Sequence, residues 1–237
     1  MKTHCRRQQA FTLVETLVVC GIAAILIALG TPVLTAFKAN TVSQGIYRVS
    51  DTLEQARTCA MSMNTYVYVG IVQDSNASPA GTMVVGVIAS NDSTQIFSGN
   101  NANLNQSSAS YKPIDKLLRM DNIQTVSLPS NSPTSGSPRQ VVPNNYKVGD
   151  PTFAQSASSY SFSLGHYQFT SAPGPTSTQG VTSYGMLQID PQGVVSEVGG
   201  GAVPFFEIGL KPVYGNQSNY AAIQIAGLTG VVRIYRP

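Results

Sequence analysis

The sequence predicts an α+β fold in which one long N-terminal helix packs on an antiparallel β-sheet head. Three observations carry this expectation. Residues Ala10 to Pro32 form a nearly unbroken apolar run of membrane-spanning length, with one charge, Glu15, near its start. Val42, Ile46, Val49, Leu53, Ala56, Ala60 and Met63 then recur at 4-3-4-3-4-3 spacing, the single apolar stripe of an amphipathic helix. Beyond Asn64, short β-branched and aromatic runs alternate with Gly, Pro, Asn and Ser turns.

The N-terminal run divides into a short basic head (Lys2, Arg6, Arg7) and the apolar segment itself. A carboxylate inside a hydrocarbon-spanning segment costs a few kcal/mol, so Glu15 needs a partner or a function. A plain membrane anchor explains the apolar run but not Glu15. A secretory signal peptide, with Ala28-Leu29-Gly30 as its cleavage site, is the closer rival and yields a soluble secreted β protein cut after Gly30. Glu15 and the long apolar lead-in argue against it.

The helix is expected from Phe11 to about Met63, roughly 80 Å at the α-helical rise. Pro32, with Gly30 nearby, is expected to kink or loosen its middle. The stripe from Val42 serves as one wall of a soluble core; coiled-coil pairing is the alternative use. Asn64 tolerates a left-handed conformation and is the expected stop.

At this point the chain resembles the type IV pilin-like proteins. The residues that carry the resemblance are Ala10-Phe11-Thr12-Leu13-Val14-Glu15 and Pro32. The resemblance implies that a prepilin peptidase cuts between Ala10 and Phe11 and that the new Phe11 amine is methylated. The family usually has Gly before the cut; Ala10 keeps a small side chain there. It further implies that Glu15 meets the Phe11 amine of a neighbouring subunit in a filament, with pairing inside one helix as the bland alternative. The implied partners are the prepilin peptidase, other pilins or pseudopilins, an inner-membrane assembly platform and membrane lipid. The chain then divides into a leader (residues 1–10), a transmembrane and assembly helix (11–37) and a periplasmic pilin-like head (38–237). The resemblance also implies that the chain spans the inner membrane once, with a cytoplasmic N-terminus as its positive head suggests, before entering a pilus or pseudopilus.

The strands are read in order as Tyr66 to Val72, Thr82 to Ala89, Tyr160 to Leu164, Tyr167 to Thr170, Gly185 to Asp190, Val194 to Val198, Pro204 to Leu210, Ala221 to Ala226 and Gly230 to Tyr235. Residues 98–158 read as loop-rich, with a short helix and a strand expected between Ile114 and Leu128. Ala56-Arg57, Ala60 and the following Tyr66-Val67-Tyr68-Val69 resemble the GspH/FimT-type minor pseudopilins and minor pilins, and the C-terminal strands resemble that subgroup more loosely.

Composition narrows the function. Charged residues are 11 % of the chain, well below the roughly 25 % of average globular proteins. Without Lys2, Arg6 and Arg7, eleven basic and eleven acidic side chains remain, so the net charge of +3 belongs to the leader. Phosphate binding needs a basic patch. DNA-binding members of the subgroup resemble one another in a Gly-Arg-x-Arg pattern. This chain has Gly230-Val-Val-Arg233-Ile-Tyr-Arg236, and arginines three apart on a strand face opposite ways. Arg233 and Arg236 are the candidate nucleic-acid contacts of a DNA-uptake alternative that this spacing argues against.

Cys20 and Cys59 are 39 residues apart on the expected helix, about 58 Å, too far to pair within one chain. Cys59 reads as a buried small apolar residue. No catalytic motif, metal-ligand spacing or cofactor signature is legible, and His166 reads as structural. The function expected is that of a structural subunit, not an enzyme.

Overall fold

The computed structural model describes residues 13–77, 81–97, 103–104, 110–129, 139–153, 160–171, 175–178, 180–214 and 218–236, with only the backbone of residues 28–41, 103–104, 176 and 178 included. It divides into two compact units, residues 1–38 and 39–237.

The single long helix, α1, runs Leu13–Ser62 over 50 residues, and its backbone is helical through Pro32. Asn64 closes it at φ 49°, in the left-handed region, and the Thr65 N–H donates to Ala60 O. Within the larger unit, Val42, Ile46, Val49, Leu53, Ala56 and Ala60 are all buried. Met63, the expected last member of the stripe, is 43 % exposed because the helix has already ended at Ser62.

The strands follow as β1 (Val67–Asp74), β2 (Thr82–Ser90), β3 (Asn103–Leu104), β4 (Tyr111–Pro113), β5 (Leu118–Met120), β6 (Ile123–Thr125), β7 (Lys147–Val148) and β8 (Ser161–Leu164). Then come β9 (Tyr167–Thr170), β10 (Thr176–Thr178), β11 (Val181–Ile189), β12 (Val195–Glu197), β13 (Phe205–Pro212), β14 (Ala221–Ala226) and β15 (Val232–Tyr235). The segment read as loop-rich thus carries several short strands. The helix expected after Ile114 is absent: β4 and β5 both pair with β2, and that ladder competes successfully with the weak helical pattern.

A first sheet has the order β10-β11-β1-β2-β4, with β12 beside β11 and β5 beside β2. A second has the order β15-β14-β13-β6, with β7 beside β13, and a third is β3-β8-β9. Pairing is antiparallel except for β3 with β8 and β7 with β13.

The first sheet is buried on both faces. Val67, Val69, Ile71, Val85, Val87, Leu187 and Ile189 join the α1 stripe and the inner residues of the second sheet, Phe206, Ile208, Ile223 and Ile225. Their neighbours in sequence, Tyr68, Val72, Val84, Ile88 and Met186, turn the other way. They meet Phe162, Tyr167 and Phe169 of the third sheet in a separate aromatic core. Burial on both sides is why β1 and β2 read as near-continuous apolar runs. In this second core the Tyr68 hydroxyl accepts from the Ile96 N–H at 3.1 Å, and burial pushes its pKa up to about 12.

Gly70 and Gly86 sit opposite one another across β1 and β2. Phe169 lies directly over both: a Cβ on Gly70 would meet its ring at 2.6 Å and one on Gly86 at 2.7 Å. The missing side chains let the ring reach the sheet.

The outer face of the second sheet holds polar residues in register: Glu207 opposite Gln224, and Gln224 opposite Arg233. Glu207 is fully buried and takes a bidentate pair from Arg139, at 2.7 Å from Nε and 2.8 Å from Nη2. The Gln224 amide donates to Glu207 at 2.8 Å and to Gln140 O at 2.7 Å, and its oxygen accepts the Gln140 N–H. Lys147 donates to Leu128 O at 2.8 Å and to Asn144 at 3.1 Å. Burial holds its ammonium below the usual lysine range, and nearby Glu207 opposes that shift. These bonds tie the chain on either side of residues 130–138 down onto the sheet.

Two stability predictions follow from this packing. Gly70→Ala forces Phe169 to shift and should cost about 1–3 kcal/mol by denaturant titration of the full chain; an unchanged midpoint would mean that the ring has room to move. Glu207→Ala strands Arg139 in a buried site and should cost about 3–5 kcal/mol, whereas Arg139→Met combined with Glu207→Leu should recover most of that loss. Equal losses in the single and double variants would show that the ion pair is not the origin of the effect.

Candidate functional site

The unit of residues 1–38 presents an unusual surface. Leu13, Val14, Leu17, Val18, Val19, Ile22, Ile25, Leu26 and Ile27 are each between 50 % and 79 % exposed, distributed round the whole circumference of the helix. A soluble helix confines its apolar residues to one stripe; one that is apolar all round has to be covered by lipid or by other helices. Glu15 stands in the first turn, the end of a helix where the macrodipole favours a carboxylate. Thr16 closes its hydroxyl onto Leu13 O at 2.9 Å, so it presents no free donor to the surroundings. The site is therefore an apolar rod with one carboxylate at its start, an arrangement suited to packing and pairing.

Among the described residues, no helix is long and apolar enough to cross a membrane. The apolar stretch with described side chains, Leu13 to Ile27, is about 22 Å long, short of the roughly 30 Å hydrocarbon core. The two proposed processing residues, Ala10 and Phe11, lie outside the described residues, as does the side chain of Pro32.

Arg233 and Arg236 point to different surroundings. Arg236 lies against α1, with Nη1 donating to Ser43 Oγ at 3.1 Å and its guanidinium 5.3 Å from the centre of the Tyr47 ring. Arg233 is exposed, in the row of Gln224 and Glu207 on the outer face. The two do not make one phosphate grip.

Other residues singled out in the sequence have structural surroundings. Ala56 is fully buried in the main core. Arg57 runs beside the turns at Gly193 and Gly230, where an added Cβ would meet its side chain at 3.0 Å and 2.5 Å. Cys59 is half-buried, its thiol 3.2 Å from the Met63 sulfur, and burial pushes its pKa up. His166 is in the tight turn between β8 and β9, its ring 3.9 Å from that of Tyr167, not within a strand. Among the described residues no group of three His, Cys, Asp or Glu side chains stands close enough to hold a metal ion.

The Arg139–Glu207–Gln224 cluster is nearly silent in the sequence. Its one available signal was a lone carboxylate in the apolar strand Phe205 to Leu210, the same kind of signal that drew attention to Glu15. Nothing in the sequence names Arg139, 68 residues away, as the partner.

Comparison with known proteins agrees with the N-terminal geometry. The family described as the prokaryotic N-terminal methylation motif matches residues 5–31. No curated protein and no solved structure matches the chain. A motif of this type implies processing by a prepilin peptidase and assembly with other pilins, and it suggests a structural subunit made as a membrane-anchored precursor. The N-terminal segment supports a type IV pilin-like protein.

Proposed function

We propose that the chain is a minor pilin or pseudopilin of the GspH/FimT type, a structural subunit of a type IV pilus or a type II secretion pseudopilus. The observation that carries this reading is Glu15 in the first turn of a helix whose other described side chains up to Ile27 are exposed and almost all apolar or small. In this reading a prepilin peptidase cuts between Ala10 and Phe11, the Phe11 amine is methylated, and the helix stays in the inner membrane with its head in the periplasm until a filament takes it up. Cleavage leaves a positive amine four residues before Glu15. In lipid that amine pairs with Glu15 on the same helix face. In a filament the amine of a neighbouring subunit takes its place. Only one axial stagger brings the two charges together, so the pair supplies register as well as compensation of the buried charge.

Mass spectrometry of the mature N-terminus tests the processing step. A methylated Phe11 is expected, and replacing Ala10 with a bulky residue should leave an uncut chain that begins at Met1. A mature chain beginning at Thr31, or unchanged maturation in the bulky variant, sides with the signal-peptide reading.

Glu15→Ala tests assembly separately. The variant should be cut and should keep a folded head, because the head's core uses the Val42 to Ala60 stripe. In competition with the wild-type chain its recovery in sheared or purified filaments should fall at least about tenfold, corresponding to about 1.4 kcal/mol of lost pairing. Incorporation equal to wild type would show that the charge pair is dispensable.

A further inference from the structure

The exposed tyrosines of the larger unit gather on one rim. Of the eleven tyrosines, only Tyr47 and Tyr214 are exposed, at 56 % and 53 %. They belong to different elements, α1 and the turn after β13, yet stand at the same end of the head. Asn122 holds the Tyr214 backbone by both of its groups: Oδ1 accepts the Tyr214 N–H at 2.7 Å and Nδ2 donates to Tyr214 O at 3.2 Å. Its neighbours Asp121 and Ile123 share a shallow pocket with Gln44 and Arg48, on the turn of α1 that carries Tyr47.

Three cations frame the two rings. Arg48 is exposed beside Tyr47. Lys211 is half-buried, opposite Gln124 in the register of β13 and β6 and shortly before Tyr214. Arg236 places its guanidinium 5.3 Å from the centre of the Tyr47 ring and donates from Nη1 to Ser43 Oγ. Two carboxylates stand nearby. Asp121 accepts from the Thr82 hydroxyl at 2.8 Å, and Asp51 lies one helical turn beyond Tyr47, farther from residue 38. Cations are in excess on the rim itself. An exposed tyrosine is an apolar ring with a polar tip, and beside Lys or Arg it suits the boundary between water and lipid headgroups. Each cation near an anionic bilayer gains about fivefold in partitioning. Chain connectivity adds to this. Tyr47 follows Lys38 by nine residues, a span of at most about 32 Å even if fully extended.

We propose that this rim is a second, peripheral membrane contact, which sets the head down on a bilayer containing anionic phospholipid. Tyr47 and Tyr214 lie at the headgroup level, and Arg48 and Lys211 face the lipid phosphates. The contact rests on the proposed function in one respect: that reading holds residues 1–38 in a bilayer. The tether makes binding by the rim intramolecular. A few cations are too few to hold an untethered protein on a membrane, but they suffice to keep a tethered head down. Such a contact is screened by salt and weak enough to break when the chain leaves the bilayer.

The test uses the full-length chain reconstituted in phosphatidylcholine vesicles with and without phosphatidylglycerol. Gln44, exposed on the rim, is replaced by the photoreactive p-benzoylphenylalanine. A control carries the probe at Gln192, exposed next to the Gly193 turn that packs on Met61 near the far end of α1. Lipid adducts are identified by mass spectrometry. The expected result is a phosphatidylglycerol adduct at Gln44 in excess of that lipid's share of the bilayer, and far less at Gln192. Arg48→Gln combined with Lys211→Gln should lower the yield at least about tenfold, and so should salt at about 1 M. Neither side chain belongs to a core cluster, so the denaturant midpoint of the double variant should match that of the parent. Equal yields with the two lipids, equal yields at the two positions, a yield indifferent to both the double variant and salt, or adducts with protein alone overturn the proposal. Retention after an alkaline wash is read in the same samples. A retained chain without the adduct removes the rim contact and keeps the anchor; a chain that is washed out yet forms the adduct beforehand does the reverse.

Discussion

Burial of the α1 stripe is the constraint on which the head depends. Val42, Ile46, Val49, Leu53, Ala56 and Ala60 lie at intervals that bring them onto one side of the helix, and two sheets contribute the opposing apolar residues. No other described element offers a comparable length of apolar surface. The first sheet answers it with every second residue of β1, β2 and β11, and the second sheet with the inner residues of β13 and β14. Removing water from this one seam joins segments more than 150 residues apart, such as Val42 with Ile208 and Ile225.

Both sheets have a second face, and the two are covered by different means. The first sheet carries aromatic and aliphatic residues outward and receives the third sheet, with Phe169 seated over Gly70 and Gly86. That cover is held by apolar burial. The second sheet carries Glu207 and Gln224 outward, and its cover is held by a bidentate ion pair and amide bonds from Arg139 and Gln140. A polar seal is specific in geometry and costly to break on one side. An aromatic seal tolerates small shifts of its rings but not an added Cβ beneath them.

The exposed apolar surface and the core-forming stripe are thus separated along one helix. The Glu15 end is apolar all round and suited to lipid or to neighbouring helices. The Val42 to Ala60 part spends one face on the core and leaves Tyr47, Asp51 and Glu54 exposed. On the proposed reading, this division lets the N-terminal end exchange lipid for neighbouring helices while the core of the head keeps its own packing.

The sequence by itself determined the features written in local periodicity and in lone charges. The helical stripe, the stop at Asn64 with its positive φ, most strand positions from Tyr160 onward and the prominence of Glu15 were legible there, because each depends on residues within a few positions of one another; β10 and the start of β11, rich in Ser and Thr, read as loop. The α+β class followed from the same patterns. Tertiary structure decided the rest. Apolar runs such as β1 do not reveal that both their faces are covered, since continuous burial erases the alternation that would assign a face. Residues 118–120 became an edge strand instead of part of a helix because β2 offered a ladder, a partner invisible to local propensity, whereas the strand expected from Ile123 is present as β6 beside β13. Glu207 was visible as a lone carboxylate, but Arg139 was not visible as its partner, because charge pairing across 68 residues is set by how the chain returns over the sheet and leaves no spacing rule behind.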